Sequence, residues 1–357
     1  MNKPHRLALI VAGGTGGHIF PGLSVASELQ ARGWQVQWAG NPEAMEGRLV
    51  PSQGLTLNTL VFSGFRGKGL LQQMFMPVKL LRAFWTSIQI LRRTRPSVVL
   101  GMGGYVAFPL GMMASLLNIP LVVHEQNSVA GLTNKLLAKL ANRNLVAFPQ
   151  ALPNSNWVGN PVRELIAGQP DPASRFEGRS GPLKLLVLGG SLGAQALNEV
   201  VPKALAQIET SQRPEVVHQS GEKNLPALQR NYESAGVQGE LVAFIDDVAQ
   251  AMAQADVVIC RAGAMTVAEV AAIGVAALFV PFPHAVDDHQ THNAGFLIKD
   301  NAAWLCQQNK LDSNWLANWL RGLDREACLA HAERARALAK PHATKDVANH
   351  IEQVAKV

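Results

Sequence analysis

The sequence predicts an α/β protein made of two Rossmann-like domains, each a parallel sheet covered on both faces by helices. Three observations predict it. A short apolar run, Leu7-Ala8-Leu9-Ile10-Val11-Ala12, ends in Gly13-Gly14-Thr15-Gly16-Gly17-His18 and gives way to a helical pattern through Pro21, Leu23, Val25, Ala26 and Leu29. The same succession recurs from Leu183: an apolar run to Leu188, then Gly189-Gly190-Ser191-Leu192-Gly193-Ala194, then a helical stretch from Gln195. Between and after these openings, buried-type strands alternate with helical segments, the order that parallel sheets require.

Taken along the chain, the further strands are Val98–Leu100, Leu121–Val123, Val257–Cys260 and Ala277–Val280. The pattern breaks at Asn154–Pro161, rich in Asn, Ser, Gly and Pro, so the domains are expected to be 1–160 and 161–340. Trp315–Val357 reads as helical apart from a break at Pro341. A length of 357 residues suits two domains, and 48% hydrophobic against 16% charged residues excludes disorder. Cys260, Cys306 and Cys328 are an odd number without ligand spacing. That argues against a disulfide scaffold and a cysteine-based zinc site, and suits a reducing compartment. The apolar run after Met1–Arg6 is too short for a signal-peptide core, so a cytoplasmic location is expected.

Charge separates the halves. Residues 1–160 hold 14 Lys and Arg against 4 Asp and Glu, whereas the remainder holds 18 against 22. One half is therefore expected to meet an anionic surface. Residues 68–95 mix large apolar side chains with Lys68, Lys79, Arg82, Arg92 and Arg93, but no uncharged run approaches the ~20 residues that span a bilayer. Such a segment is either an amphipathic core helix with basic edges or an interfacial segment in contact with anionic lipid. No binding signature for nucleic acid is present.

Each glycine loop joins a strand to a helix, where backbone N–H groups and the helix dipole favour an anion. Counting from Gly14, the sixth position is Ile19, and no acid follows the second strand at Trp38-Ala39-Gly40-Asn41. Both facts argue against a dinucleotide fingerprint, and no P-loop motif occurs. His18 closes the first loop at the carboxyl end of a strand, and an imidazole titrates in the range that general-base work needs. His124-Glu125-Gln126-Asn127 stands at another strand end. Its H-E pair lacks a second histidine four residues on, where Ser128 stands, so a zinc-protease reading fails. Glu125 and Asn127 are either ligand contacts or loop caps. Around Arg261–Glu269, small residues could admit a phosphate, with Glu269 on a ribose; the alternative is a capping box with Thr266 as N-cap and Glu269 at N3. The polar stretch Pro281–Ala294 suits sugar hydroxyls better than a metal, and no metal is expected.

Together with Gly101-Met102-Gly103-Gly104-Tyr105, Gly159-Asn160-Pro161-Val162-Arg163, Ala262-Gly263-Ala264-Met265-Thr266 and Gln290-Thr291-His292-Asn293-Ala294, these motifs follow one another as they do in the MurG family, which the chain resembles over nearly its whole length. That family comprises bacterial UDP-N-acetylglucosamine:lipid I N-acetylglucosaminyltransferases. The resemblance implies a GT-B fold, two Rossmann-like domains facing a central cleft, with the last helix, about 341–357, packing back on the N-terminal domain. It implies an inverting transfer of GlcNAc from UDP-GlcNAc to the C4 hydroxyl of MurNAc in lipid I, giving lipid II for the cell wall without a cofactor. For the donor it implies contacts from Thr15, Gly16, Gly17, Asn127, Arg163, Ser191, Ile245, Ala264, Met265, Thr266, Val267, Ala268, Glu269 and Gln290. On the acceptor side it leaves His18 as the candidate base and Glu125 as the second candidate. Membrane contact is expected through Phe75, Lys79, Arg82 and Trp85, at the cytoplasmic face of the inner membrane, with cell-wall synthesis proteins as further expected partners. Met265, where many members carry Leu, and His289, where members often carry Gln, depart from the family's pattern.

Overall fold

A computed structural model describes residues 6–62, 75–190 and 193–356. Lys68 and its neighbours through Met74, and also Ser191, lie outside the described residues. The chain divides into two compact units, Met1–Arg163 with Pro341–Val357, and Glu164–Lys340.

The first unit is built on a seven-stranded sheet. Its strands are β1 (Leu7–Ala12), β2 (Gln35–Gly40), β3 (Thr56–Thr59), β4 (Val98–Gly103), β5 (Leu121–Glu125), β6 (Arg143–Val146) and β7 (Ser155–Trp157). They lie in the order β3-β2-β1-β4-β5-β6-β7, and every pairing is parallel. The order reverses between β1 and β4. At such a switch point the neighbouring loops part and leave a crevice at the carboxyl ends of the strands. All residues of β1 and β4 are buried, which is why they read as unbroken apolar runs.

The helix Ala343–Val354 belongs to this unit. Val347, Ala348 and Ile351 join one core with Ile10, Val25 and Leu100. At its surface Glu352 accepts from Trp34 Nε1 at 3.0 Å and pairs with Arg32 at 2.8 Å. The helix Met76–Thr94 buries Met76, Ala83, Ser87, Ile90 and Leu91. Phe75 just before it, and Val78, Leu81 and Trp85 on its other face, are exposed by 54–67%. Lys79 and Arg82 are exposed beside them.

In the second unit, β8 (Lys184–Leu188), β9 (Glu215–Gln219), β10 (Glu240–Val242), β11 (Val257–Cys260), β12 (Ala276–Phe279) and β13 (Trp304–Leu305) form a parallel sheet in the order β10-β9-β8-β11-β12-β13. Its switch point lies between β8 and β11. The two units thus repeat one topology, and the fold is the two-Rossmann α/β architecture expected. One expectation changes in detail. β5 runs on through His124 and Glu125, which pair with Leu145 and Val146, so both are strand residues with buried side chains.

Candidate active site

In the first unit the crevice lies between the loop after β1 and the loop after β4. Thr15 is the N-cap of the helix Gly16–Ala31, and His18 sits in that helix's first turn. The helix can approach β4 because of two glycines. A Cβ on Gly103, whose φ is +104°, would lie 2.9 Å from His18 Cε1; one on Gly104 would lie 2.3 Å from the carbonyl oxygen of Gly13. The sequence reading missed Glu46, 2% exposed, on the following helix. It accepts from Gly14 N at 3.3 Å and Asn41 N at 3.2 Å. A carboxylate therefore does stand near the end of β2, but it is spent on backbone.

His18 and Glu125 occupy different settings. The His18 ring is half-buried, with Nδ1 2.9 Å from Gln126 Oε1. Glu125 is 1% exposed, and its carboxylate accepts from four donors. Oε1 takes Asn127 N at 2.9 Å and Asn127 Nδ2 at 3.4 Å; Oε2 takes Gly131 N at 3.1 Å and Asn134 Nδ2 at 2.9 Å. Alternation along β5 explains the split: His124 and Gln126 share the face toward the helix Gly16–Ala31, while Glu125 faces the loop leading to the helix Leu132–Leu137. That signal was present in the sequence once β5 is extended through His124. Asn127 is held by Glu125, and Arg163 is exposed at the end of the unit.

In the second unit the helix Ala264–Ile273 starts from Gly263 in extended conformation, with no side-chain cap. The capping-box alternative fails here, because Thr266 lies in the first turn and is not the N-cap. The first backbone bond runs from Val267 N to Gly263 O at 2.9 Å. The N–H groups of Met265 and Thr266 therefore have no acceptor within the helix and lie at its positive end. Val267 is fully buried and its N–H is used by the helix, so it offers no polar group to a ligand. Ala264 is buried as well, while Ala268 and Glu269 are half-buried. Glu269 follows Thr266 by three positions, on the same face of the helix.

Two glutamines brace this crevice. Gln290 Oε1 accepts from Ala262 N at 3.3 Å and from Phe282 N at 2.9 Å, tying the loops after β11 and β12 together through the helix His289–Ile298. Gln219, which the sequence reading did not single out, does the same for the glycine loop. Its Oε1 accepts from Gly190 N at 3.2 Å, and its Nε2 donates to Gly190 O at 3.0 Å and Ala243 O at 3.2 Å. Arg261, also without an assigned role, donates to Val280 O at 3.0 Å and Gln308 Oε1 at 2.7 Å, which makes it a loop brace. Ile245 is half-buried in the loop after β10. Among the described residues no group of acidic, histidine and cysteine side chains is placed to hold a metal ion.

Comparison with known proteins now adds to this geometry. Residues 8–146 match the glycosyltransferase family 28 N-terminal domain, and residues 184–354 match the glycosyltransferase family 28 C-terminal domain. A protein of Cupriavidus metallidurans named UDP-N-acetylglucosamine--N-acetylmuramyl-(pentapeptide) pyrophosphoryl-undecaprenol N-acetylglucosamine transferase is 61% identical, covering 98% of both chains. One of the same name from Burkholderia thailandensis is 59% identical over 99% of this chain and 98% of its own. The crystal structure of Acinetobacter baumannii MurG superposes with a TM-score of 0.88 at 40% identity, covering 98% of this chain and 99% of that one. A kitacinnamycin glycosyltransferase, 19% identical with a TM-score of 0.70, shares the fold.

Proposed function

The chain belongs to glycosyltransferase family 28, within its MurG branch, and from that premise we propose that it moves GlcNAc from UDP-GlcNAc to the C4 hydroxyl of MurNAc in lipid I, forming the β-1,4 link of lipid II. Near 60% identity over the whole length to transferases of that name carries the reading. The two switch-point crevices supply its chemistry.

In this reading the second unit holds the donor. The leaving diphosphate gains negative charge as its bond to the anomeric carbon breaks. The Met265 and Thr266 N–H groups, with the positive end of the helix Ala264–Ile273 behind them, stabilise that charge without reorganising. Glu269 receives the ribose hydroxyls, Ile245 backs the uracil and Gln290 turns its amide NH2 toward the sugar. Ser191 completes the diphosphate contacts. Thr15, Gly16, Gly17, Asn127 and Arg163 are donor contacts from the first unit. His18 acts on the acceptor side: its ring removes the C4 hydroxyl proton as that oxygen attacks the anomeric carbon opposite UDP, giving inversion. Glu125, already accepting four hydrogen bonds, shapes the loop from Asn127 to Asn134 and leaves proton transfer to His18.

The first unit also meets the membrane. Phe75, Val78, Leu81 and Trp85 form an exposed apolar face with Lys79 and Arg82 beside them. Apolar side chains that enter the acyl boundary next to cations that meet anionic headgroups are what a peripheral interfacial helix needs. No helix among the described residues is long and apolar enough to cross a bilayer. The enzyme in this reading works at the cytoplasmic face of the inner membrane, where its lipid-linked acceptor lies.

Radiolabelled UDP-GlcNAc with a lipid I analogue tests the whole reading. The expected result is a labelled lipid disaccharide. Product only with a different lipid acceptor, or UDP-GlcNAc binding without turnover, would overturn it.

A further inference from the structure

The contacts behind His18 form a chain of hydrogen bonds whose direction can be deduced atom by atom. It begins at the backbone carbonyl of Gly159, 2.9 Å from His124 Nε2. A carbonyl only accepts, so His124 Nε2 carries the hydrogen. His124 is fully buried, and that burial lowers its pKa to about 4, so the ring is neutral at physiological pH. Its Nδ1 is then a lone pair. The Gln126 side-chain atom 3.1 Å from that Nδ1 must donate, and it also lies 3.1 Å from the His124 carbonyl oxygen. Both neighbours accept, so this end of the amide is the NH2 group, with one hydrogen for each. The other end of Gln126 is therefore its carbonyl oxygen, and it lies 2.9 Å from His18 Nδ1. An amide oxygen cannot donate, so His18 Nδ1 must.

We propose that Gln126, oriented by His124, is a positioning residue that fixes His18 in the tautomer with hydrogen on Nδ1, so that Nε2 is the atom that removes the acceptor's proton. The inference rests on the reading of His18 as general base and deepens it. In the step itself, the acceptor C4 hydroxyl gives its proton to the Nε2 lone pair while its oxygen forms the bond to the anomeric carbon. The bond from that carbon to the UDP oxygen breaks, and its electron pair leaves with the diphosphate. The imidazolium that results donates from Nδ1 to Gln126 Oε1, an acceptor already aimed at it, and later returns its extra proton to water.

The arrangement is rigid for identifiable reasons. Gln126 is 1% exposed, and its backbone carbonyl accepts from Asn160 Nδ2 at 3.0 Å. The His18 ring fits against β4 only because Gly103 lacks a Cβ, which would stand 3.0 Å from Nδ1. Without the lock both tautomers of a neutral imidazole coexist, and the form with hydrogen on Nε2 cannot accept the proton there. Misplacing the tautomer of a catalytic histidine by removing its orienting partner has cost about 10⁴-fold in a serine protease triad. Gln126 is a neutral partner that influences only a population, so a loss of about 10-fold or more is expected.

The test reads the tautomer without turnover. With ¹⁵N-labelled histidine, the His18 ring nitrogens are assigned by their absence in His18→Ala. In the wild type they should show a protonated Nδ1 and a lone-pair Nε2. Gln126→Leu should move both signals toward a tautomer mixture and lower kcat by about 10-fold or more, with KM for UDP-GlcNAc unchanged. Gln126→Glu, held as the neutral acid because two acceptors of His124 face its second oxygen, donates there from its hydroxyl and still offers a carbonyl oxygen to Nδ1. It should restore the tautomer and recover kcat relative to Gln126→Leu. A wild-type spectrum with the lone pair on Nδ1 overturns the proposal, even if neither variant folds. So does a Gln126→Leu variant that changes the spectrum without kcat, or kcat without the spectrum. If His18→Ala turns over normally, the base reading fails separately, while the spectrum still reports on the lock.

Discussion

At the carboxyl end of β1 the ring of His18 meets a file of buried side chains. At the carboxyl end of β11 the polar surface is the backbone of Gly263–Thr266. The two crevices stand at equivalent switch points of equivalent sheets, so topology does not account for the difference. The tasks proposed for them do. Moving a proton requires a titratable group held in one orientation and one tautomer, which takes side chains and partners to orient them. Stabilising a diphosphate requires several fixed donors, which an uncapped helix N-terminus presents with no side chain at all. Both crevices use a buried glutamine as a brace, because an amide can accept at one end and donate at the other.

The comparison can be broken most decisively at His18. His18→Ala should lower kcat by about 10²–10⁴-fold with little change in donor affinity, while Glu125→Gln, whose one amide oxygen still accepts from two of the four donors, should be the faster enzyme of the two. A Glu125→Gln enzyme slower than His18→Ala would reverse the roles. The outward helix, a feature of the first unit, comes next. Lys79→Glu with Arg82→Glu removes two attractions of about 1 kcal/mol each, so binding to anionic vesicles should fall by roughly 30-fold or more. Replacing Phe75 and Trp85 by Ser should weaken it as well, and turnover of a short-chain soluble acceptor should survive both changes. Vesicle binding that persists in both variants would make the exposed face irrelevant to membranes.

On the donor side, Glu269→Ala should weaken UDP and UDP-GlcNAc alike by about 10-fold or more, since a hydrogen bond to a charged group contributes at least about 1.5 kcal/mol. Unchanged UDP affinity in the folded variant, read by calorimetry, would remove Glu269 from the site. The smallest expected effect sharpens the comparison through stability. Burial lowers the pKa of His124 in the first unit to about 4 and that of His218 in the second to about 3. The folded protein keeps both neutral where the unfolded chain protonates them. Stability should therefore fall as pH drops from about 6.5 toward 4, by up to about 1.4 kcal/mol per pH unit for each histidine. Urea midpoints at pH 7 and pH 5 measure this slope, and His218→Asn should flatten it. A midpoint that does not move between the two pH values would mean these rings protonate equally in both states.

The sequence by itself determined the architecture and the strand ends at which the proposed ligand sites lie. Leu7–Ala12 and Leu183–Leu188 are apolar without interruption because strands covered on both faces must be. Glycines follow them because the chain has to turn at once from strand to helix. Those two constraints are local, so they can be read along the chain, and they placed His18 and the Gly263–Thr266 stretch at the ends of strands. Tertiary structure decided what each polar side chain does there. Glu125 reads along the chain only as an acid at a strand end, and the fold is what brings its carboxylate to accept from Asn127, Gly131 and Asn134. Thr266 reads as a possible cap until Gly263 is seen to start the helix. Gln126 lies 108 positions from the ring it orients, and Glu46 lies 32 from the loop it braces. Hydrogen bonds between segments so far apart depend on strand order and on which face of the sheet a side chain takes. The two residues by which β5 runs on past Val123, invisible in its apolar run, turn His124 from a loop residue into the strand residue behind Gln126 and His18.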